Sequence, residues 1–243
     1  MIYIKTKEDL KKMRLAAEAV AEVLIKLREC VEVGISTWGL NEIAENIIDK
    51  RSFIAAFKGY LNYPASVCFA LNDEVVHGIP SKYKILKEGD ILGIDFGACV
   101  DGYYGDSAIT VPVGEVSDVT KKLLEVTETS LFKGIDEAMP QNKIKDISKS
   151  IQDHVEQNGF SVVKSFVGHG IGKKLHEDPH VPNFLSDTLN SRTNLRSGMV
   201  LAIEPMVNAG VPDVKLLDDA WTAVTTDGNL SAHFEHTVAI TDN

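Results

Sequence analysis

The stretch Ile91–Thr110, ILGIDFGACVDGYYGDSAIT, constrains the fold more than any other part of the sequence. Two apolar runs rich in β-favouring residues lie on either side of Val100-Asp101-Gly102, a turn signal, and this pattern is typical of a β-hairpin. Each arm carries one acidic residue inside the apolar run, Asp95 on the first and Asp106 on the second. The sequence therefore predicts two carboxylates on neighbouring strands.

The centre of the turn decides how these two carboxylates are paired. If the centre lies between Val100 and Asp101, Asp95 is directly opposite Asp106, with Cβ atoms about 4.5–5.5 Å apart. If the centre lies between Asp101 and Gly102, Asp95 is opposite Ala108 instead. We favour the first register and keep the second as the alternative.

Two ionised carboxylates on one face of a hairpin repel each other unless a positive charge lies between them. A metal ion held by Asp95 and Asp106 removes this repulsion. The alternative for the hairpin alone is a pair of solvated turn aspartates. The remaining motifs of the chain decide between these interpretations.

Composition and charge exclude several classes of protein. The 243 residues are 44% hydrophobic and 25% charged, as in a soluble globular protein of one large or two small domains. The net charge of −10 disfavours sequence-independent binding to nucleic acid. No apolar run approaches the roughly 18 residues of a membrane span. The start MIYIKTKEDL does not resemble a signal peptide, and three scattered cysteines favour a reducing compartment, so we expect a cytoplasmic protein.

The order of predicted elements repeats along the chain. Periodic apolar residues predict two helices, then short extended pieces and the hairpin, and then the same order again. The predicted helices are Lys7–Glu29, one capped by Ser36 or Thr37, one capped by Asp118 and ending near Met139, and one ending at Asn158-Gly159; the later predicted strands are Phe160–Gly168, Met199–Val207 and Thr237–Thr241.

This repeat predicts the fold class. We expect an α+β fold, in which one domain over residues 1–243 consists of two pseudo-equivalent halves, about 1–113 and 114–243. Strands of both halves would form one curved, mostly antiparallel sheet with the helices on its outer face. A functional site would then lie where the halves meet.

The second half supplies three further residues of the metal-ligand type. His169 lies in GHGIG, Glu204 in the apolar strand LAIEPM and Glu235 in HFEHT. Carboxylates in apolar strands are rare unless they are paired or bind a metal. Together with Asp95 and Asp106 they form an oxygen-rich set with one imidazole, which suits two divalent ions such as Co, Mn, Fe or Zn.

Two other histidines are candidates for contact with a reacting group. His77 in NDEVVHGIP and His176 in KKLHEDPH lie beside turn and glycine-rich segments. Either could donate a hydrogen bond to a carbonyl or a developing oxyanion. The alternative for both is an exposed loop histidine. His233 and His236 flank Glu235 and are interpreted as sheet residues or as supports for the ligands.

Five separated motifs resemble one known family. They are NDEVVHGIP, the hairpin with DGYYGD, GHGIGKKLHEDP, IEPMVNAG and SAHFEHT. In their order and over nearly the whole chain, the sequence resembles the type I methionine aminopeptidases, which have the pita-bread fold. The resemblance implies a metal-dependent enzyme that removes the initiator methionine from nascent proteins and peptides through a metal-bridging water that attacks the scissile carbonyl.

The resemblance also implies roles for individual residues. Asp106 and Glu235 would bridge two ions, Asp95 would hold one ion, and His169 with Glu204 would hold the other. Glu204 would also carry a proton of the nucleophilic water. His77 would contact the scissile peptide, and His176 would stabilise the tetrahedral intermediate. The implied pocket for the first substrate residue consists of Tyr60, Tyr63, Cys68, Leu175 and Trp221, with His77 and His176 at the scissile bond.

Further expectations follow from the same resemblance. Phe57 and Leu175 depart from forms common in the family, so the pocket wall is expected to differ. A monovalent cation is expected near Asn72, Glu74 and Ser231. We also expect a monomer that contacts the ribosome transiently. The alternatives are a proline-directed peptidase of the same fold and a binding protein of that fold without metal.

Overall fold

The computed structural model describes residues 1–51, 53–186 and 192–242. The described residues form four α-helices and fourteen β-strands. The helices are α1 Lys7–Cys30, α2 Thr37–Ile48, α3 Asp118–Asp136 and α4 Ile144–Gln157. The strands are β1 Ile54–Ala55, β2 Cys68–Leu71, β3 Glu74–Val76, β4 Ile91–Val100, β5 Tyr103–Pro112, β6 Ser161–Val162, β7 Gly168–Gly170, β8 Glu177–Val181, β9 Val200–Ile203, β10 Met206–Asn208, β11 Val214–Leu216, β12 Ala223–Thr225, β13 Ser231–His233 and β14 Glu235–Ala239.

Capping residues set where the helices begin. The Thr6 hydroxyl accepts a bond from the Asp9 backbone N–H, and the Asp9 carboxylate accepts one from the Thr6 N–H, as the sequence predicts for α1. Ser36 caps α2 through the N–H of Gly39. The predicted cap of α3 is wrong by one residue. Ser117 provides the cap, and Asp118 is already helical because the shorter hydroxyl reaches the Thr120 N–H.

One eight-stranded sheet joins the two halves of the chain. Its order is β1-β4-β5-β14-β9-β7-β8, with β2 also paired to β4. The hairpin β4–β5 comes from the first half, and β14, β9, β7 and β8 come from the second. The halves meet where β5 pairs with β14. Two three-stranded sheets, β13-β10-β6 and β11-β12-β3, complete the fold.

Two predicted long strands are each broken in two. The segment predicted as Phe160–Gly168 contains β6 and reaches only the first residue of β7, and these two strands belong to different sheets. The segment predicted as Met199–Val207 is divided into β9 and β10 by Glu204-Pro205, because proline has no N–H for the ladder. The break places Glu204 beyond the end of β9 in the eight-stranded sheet.

Helix packing decides which face of the sheet is free. Leu92, Ile94 and Phe96 of β4 are fully buried in one apolar cluster with residues of α1 and α2. Burial of such side chains contributes about 1.5–3 kcal/mol each. Because side chains alternate along a strand, Asp95 and Gly97 lie on the opposite face. A second apolar cluster around α3 and α4 covers the sheet of the other half. None of the described helices is long and apolar enough to cross a membrane.

Candidate metal centre

The hairpin adopts the register that the sequence analysis kept as the alternative. Asp95 pairs with Ala108, and Asp106 pairs with Gly97, so the favoured prediction of directly opposed aspartates is wrong. The cause is the turn: Asp101 and Gly102 both have positive φ, 48° and 77°, and form a two-residue turn centred between them. Asp106 is two residues from Ala108, so both aspartates still face the same side as diagonal neighbours.

Gly97 leaves room for the Asp106 carboxylate. A Cβ atom at position 97 would lie 3.2 Å from Asp106 Oδ1 and 2.9 Å from Phe57 Cε1. A side chain there would therefore press on both groups. The glycine opposite Asp106 keeps the carboxylate on the free face of the hairpin, directed at the space between the halves.

Side-chain hydroxyls form hydrogen bonds between β5 and β14, at the seam where the two halves of the chain meet. The Asp106 N–H donates to Thr237 Oγ1 at 3.0 Å, and the Thr237 hydroxyl donates back to the Asp106 carbonyl at 2.8 Å. The Ser107 hydroxyl donates to the Glu235 carbonyl at 2.5 Å. These bonds fix the backbones of Asp106 and Glu235 relative to each other at the point where the two strands pair.

Neighbouring strands each bring one candidate ligand to the same face. In the order β4, β5, β14, β9 and β7, the residues are Asp95, Asp106, Glu235, Glu204 directly after β9, and His169. Ligand atoms of Asp106, His169 and Glu235 lie within 4.8 Å of one another. His169 Nε2 lies 3.5 Å from Glu204 Oε1. The five predicted ligands are thus brought together across the seam.

Three carboxylates of this cluster each have one oxygen without a partner in the described part of the chain. Among the described residues, Asp95 Oδ1, Asp106 Oδ1 and Glu235 Oε1 are buried without a hydrogen bond. Burial raises the pKa of Asp106 to about 7. Burial and the neighbouring carboxylates raise the pKa values of Asp95 and Glu235 well above their ordinary range. Glu204 is raised in the same way, by burial and by Asp106.

His169 is oriented as a neutral ligand. Its Nδ1 lies 2.8 Å from the Gly170 carbonyl, which can only accept, so the proton is on Nδ1 and Nε2 is free to bind a metal. Burial lowers the pKa of His169 to about 3. The contact with Glu204 is therefore not an ion pair at neutral pH.

These residues fit divalent metal ions. Buried carboxylate oxygens without partners cost free energy unless a cation neutralises them. Four carboxylates and one imidazole provide enough hard ligand atoms for divalent cations of the first transition row. The tightest group within the cluster, Asp106, His169 and Glu235, includes both residues predicted to bridge two ions.

A cavity of about 290 Å³ opens above the cluster and is lined by every residue predicted for divalent-metal binding, catalysis and the substrate pocket. The lining residues are Phe57, Tyr60, Leu61, Tyr63, Cys68, His77, Asp95, Asp106, His169, Leu175, His176, Glu204, Trp221 and Glu235. Leu61 was missed by the sequence analysis. Its side chain is 72% exposed and its φ is 48°, so neither periodicity nor a motif marks it.

His77 lies in one wall of the cavity. Its ring is edge-on to Phe166, with centroids 5.4 Å apart, and to Trp221, with centroids 6.2 Å apart. Its φ of 60° is unusual for a residue other than glycine. Burial lowers the pKa of His77 to about 4, so the ring is neutral and keeps one N–H to donate.

His176 lies against His169, one of the candidate ligands. Its ring centroid is 4.2 Å from that of His169. Tyr60 Oη lies 2.8 Å from His176 Nδ1. When the Tyr60 hydroxyl donates this bond, the His176 proton is on Nε2. Partial burial lowers the pKa of His176, which favours this neutral form.

Residues of the predicted monovalent-cation site also lie together. The Ser231 N–H donates to the Asn72 carbonyl at 2.9 Å. Glu74 forms an ion pair with Lys84. The Ser231 hydroxyl donates to Asn208 Oδ1 at 2.8 Å. The side chains of Glu74 and Ser231 therefore both have protein partners.

Comparison with known proteins agrees with this geometry. Residues 11–242 match the family described as Metallopeptidase family M24. The chain is 52% identical over 242 residues to methionine aminopeptidase 1 of Bacillus subtilis, covering 100% of this chain and 96% of that one. It superposes on the crystal structure of methionine aminopeptidase from Thermotoga maritima with a TM-score of 0.96 and 45% identity, covering 100% and 97% of the two chains. The prolidase from Pyrococcus furiosus shares the fold, with a TM-score of 0.79 and 22% identity, and this chain covers 63% of it.

Proposed function

The chain belongs to metallopeptidase family M24 and is a type I methionine aminopeptidase with the pita-bread fold, and we propose that the five-ligand cluster and the cavity above it are its active site. The observation that carries this proposal is the group of buried, unpartnered carboxylate oxygens at the seam. In the described part of the chain, they lie at the floor of the cavity that also holds His77 and His176.

We propose that two divalent ions, of Co, Mn, Fe or Zn, are held by this cluster. Asp106 and Glu235 would contact both ions, Asp95 one of them, and His169 and Glu204 the other. The proximity of Asp106, Glu235 and His169 supports the central position of the two bridging residues. When bound, such ions lower the pKa of a coordinated water and polarise a carbonyl.

Side chains of the cavity would position the substrate and transfer protons. Glu204 lies beside His169 and would accept the proton of the attacking water and pass it to the leaving amine. The neutral ring of His77 would donate to the scissile peptide. His176 Nε2–H, set by Tyr60, would donate to the oxygen that becomes negative in the tetrahedral state.

The pocket wall accounts for a preference for methionine. Tyr63, Cys68 and Leu175 are buried around the cavity, and Trp221 packs edge-on to Tyr63 with centroids 5.1 Å apart. This narrow apolar slot accepts a flexible, unbranched thioether. Phe57 and Leu175 would make the wall of this chain different from the wall in many relatives.

The substrate is a peptide with a free N-terminal methionine, and its delivery from a nascent chain belongs to the proposal. A single catalytic domain of two halves is supported by the sheet that both halves share. A monovalent cation near Asn72, Glu74 and Ser231, a transient ribosome contact, a monomeric state and a cytoplasmic location stay predictions.

Peptide hydrolysis with and without a chelator tests this assignment. We expect release of methionine from Met-Ala-Ser, loss of the activity in chelator, and its return with Mn²⁺ or Co²⁺. Gly-Pro should not be cleaved. Release of glycine from Gly-Pro without methionine release would instead support a proline-directed peptidase, and full activity in chelator would contradict the metal site.

A further inference from the structure

A second, more open cavity of about 570 Å³ lies beside the active-site cavity. His169 and His176 line both cavities, so the two cavities adjoin at these residues. The second cavity, here called the N-terminal groove, is further lined by Met1, Tyr3 and Phe166. No predicted role of the sequence analysis uses these three residues.

Buried and exposed ion pairs fix the N-terminal segment beside this groove. Lys5 Nζ lies 2.8 Å from Glu177 Oε2, and the two side chains are only 6% and 4% exposed. The other Glu177 oxygen accepts the Lys174 backbone N–H at 3.2 Å. The ammonium group of Met1 pairs with Asp178. The segment Met1–Lys5 is thus held at both ends by Glu177 and Asp178, the first two residues of β8, which follow His176 directly.

The chemistry of an aminopeptidase gives the groove an occupant. Only one substrate residue precedes the scissile bond, so all later residues must leave the active-site cavity. His77 and His176 are the two groups proposed to contact the scissile peptide. Phe166 packs on His77 and also lines the groove, so the groove lies next to a residue proposed to contact that peptide.

We propose that the N-terminal groove receives the substrate residues that follow the second one, and that Tyr3 is part of its wall. This inference rests on the proposed function. The Tyr3 side chain is 56% exposed, so its ring is available to an extended peptide. Aromatic rings provide a large contact surface that does not select for one side chain. The enzyme thereby gains affinity for long chains of varied sequence.

The substrate-length dependence of Tyr3→Ala tests the proposal. Two substrates are compared, the capped dipeptide Met-Ala-amide and the hexapeptide Met-Ala-Ser-Val-Leu-Ser. We expect kcat/KM for the hexapeptide to fall about three- to fivefold, mainly through KM, as for an interface residue of moderate weight. The value for Met-Ala-amide should stay within experimental error. Tyr3→Phe should restore most of the hexapeptide activity.

Tyr83→Ala is the matched control, because Tyr83 is 95% exposed and lines neither cavity among the described residues. Neither substrate should respond to it. An unchanged hexapeptide value in Tyr3→Ala would overturn the proposal, and so would an equal loss for both substrates. Failure of the unmodified enzyme to release methionine from either peptide would contradict the proposed function itself.

Discussion

The floor of the active-site cavity consists of charged groups on paired strands, whereas its rim consists of aromatic and apolar groups on loops. Asp106 and Glu235 at the floor are 6% and 3% exposed. Tyr60 and Leu61 at the rim are 38% and 72% exposed. Floor residues are held by the sheet ladder and by hydroxyl bonds across the seam, and rim residues by a short left-handed loop.

Because of this difference, substitutions at the floor and at the rim should have different effects. The floor places several carboxylates close together, which opposes folding in the absence of a cation. The rim can be altered with little effect on the fold because few of its atoms are buried. We therefore expect substitutions at the floor to affect metal binding and turnover strongly, and substitutions toward the rim to affect selectivity or single steps.

The largest effect is expected at the floor. Asp106→Asn or Glu235→Gln should lower kcat/KM for Met-Ala-Ser by about 10³-fold or more, because each removes a charge that metal binding needs. Metal content measured by mass spectrometry should fall as well. Asp101→Asn is the matched control, since Asp101 is an exposed turn residue of the same hairpin with a positive φ that asparagine tolerates. Near-normal turnover by Asp106→Asn with saturating metal would contradict the assignment of metal binding to the floor of the cavity.

A smaller effect is expected where the floor meets the rim. His176→Ala should lower kcat about 10²–10³-fold, as for the loss of one donor to an oxyanion. Metal content should not change, because His176 is not a predicted ligand. His154→Ala on α4 provides a remote histidine control. Loss of metal in His176→Ala would show that a ligand has been misplaced.

The wall should control selectivity rather than rate. Leu175 is buried against the cavity, and Leu175→Ala should raise the kcat/KM ratio of Leu-Ala-Ser to Met-Ala-Ser about tenfold by widening the slot. Leu61→Ala removes an exposed leucine from the rim and should leave the ratio unchanged. An equal change in both variants would mean that wall and rim are not distinct.

The smallest effect is a pH dependence of the metal-free protein. An acid with a raised folded pKa binds its proton more tightly when folded, so stability falls as pH rises through that range. Asp106, with a pKa of about 7, is in this class, and so are the other raised carboxylates. Buried histidines such as His77 and His169 act in the opposite direction, up to about one pH unit above their unfolded pKa of 6.5.

Between about pH 7.5 and pH 9 the raised carboxylates therefore dominate. The melting temperature of chelator-treated protein should fall by about 2–4 °C over this interval, which corresponds to about 1 kcal/mol. Asp106→Asn should reduce this dependence of the melting temperature on pH, and added Mn²⁺ should abolish it. A melting temperature that rises with pH in chelator would contradict the repulsion assigned to the floor.

The sequence predicts the floor better than the rim for physical reasons. Carboxylates inside apolar strands are visible in the sequence, and Asp95, Glu204 and Glu235 stand out in this way. Phe166 and Tyr3 carry no such signal, because they reach the site only through contacts distant in sequence. The resemblance to a known family, rather than periodicity, provided Tyr60, Tyr63 and Trp221.

Register and strand ends were the limits of the prediction. The hairpin was recognised from its alternating pattern, but the sequence pattern left two turn centres open. Positive φ at Asp101 selects the centre that was not favoured. Similarly, the break after β9 depends on Pro205, and its position next to Glu204 was not recognised as the end of a strand.

Anomalous diffraction from a crystal soaked in Mn²⁺ tests the central claim most directly. The account predicts two anomalous peaks inside the cluster, both in contact with Asp106 and Glu235, with Asp95 beside one and His169 and Glu204 beside the other. Absence of peaks from this cluster at saturating Mn²⁺, or peaks that do not contact Asp106, would contradict the account.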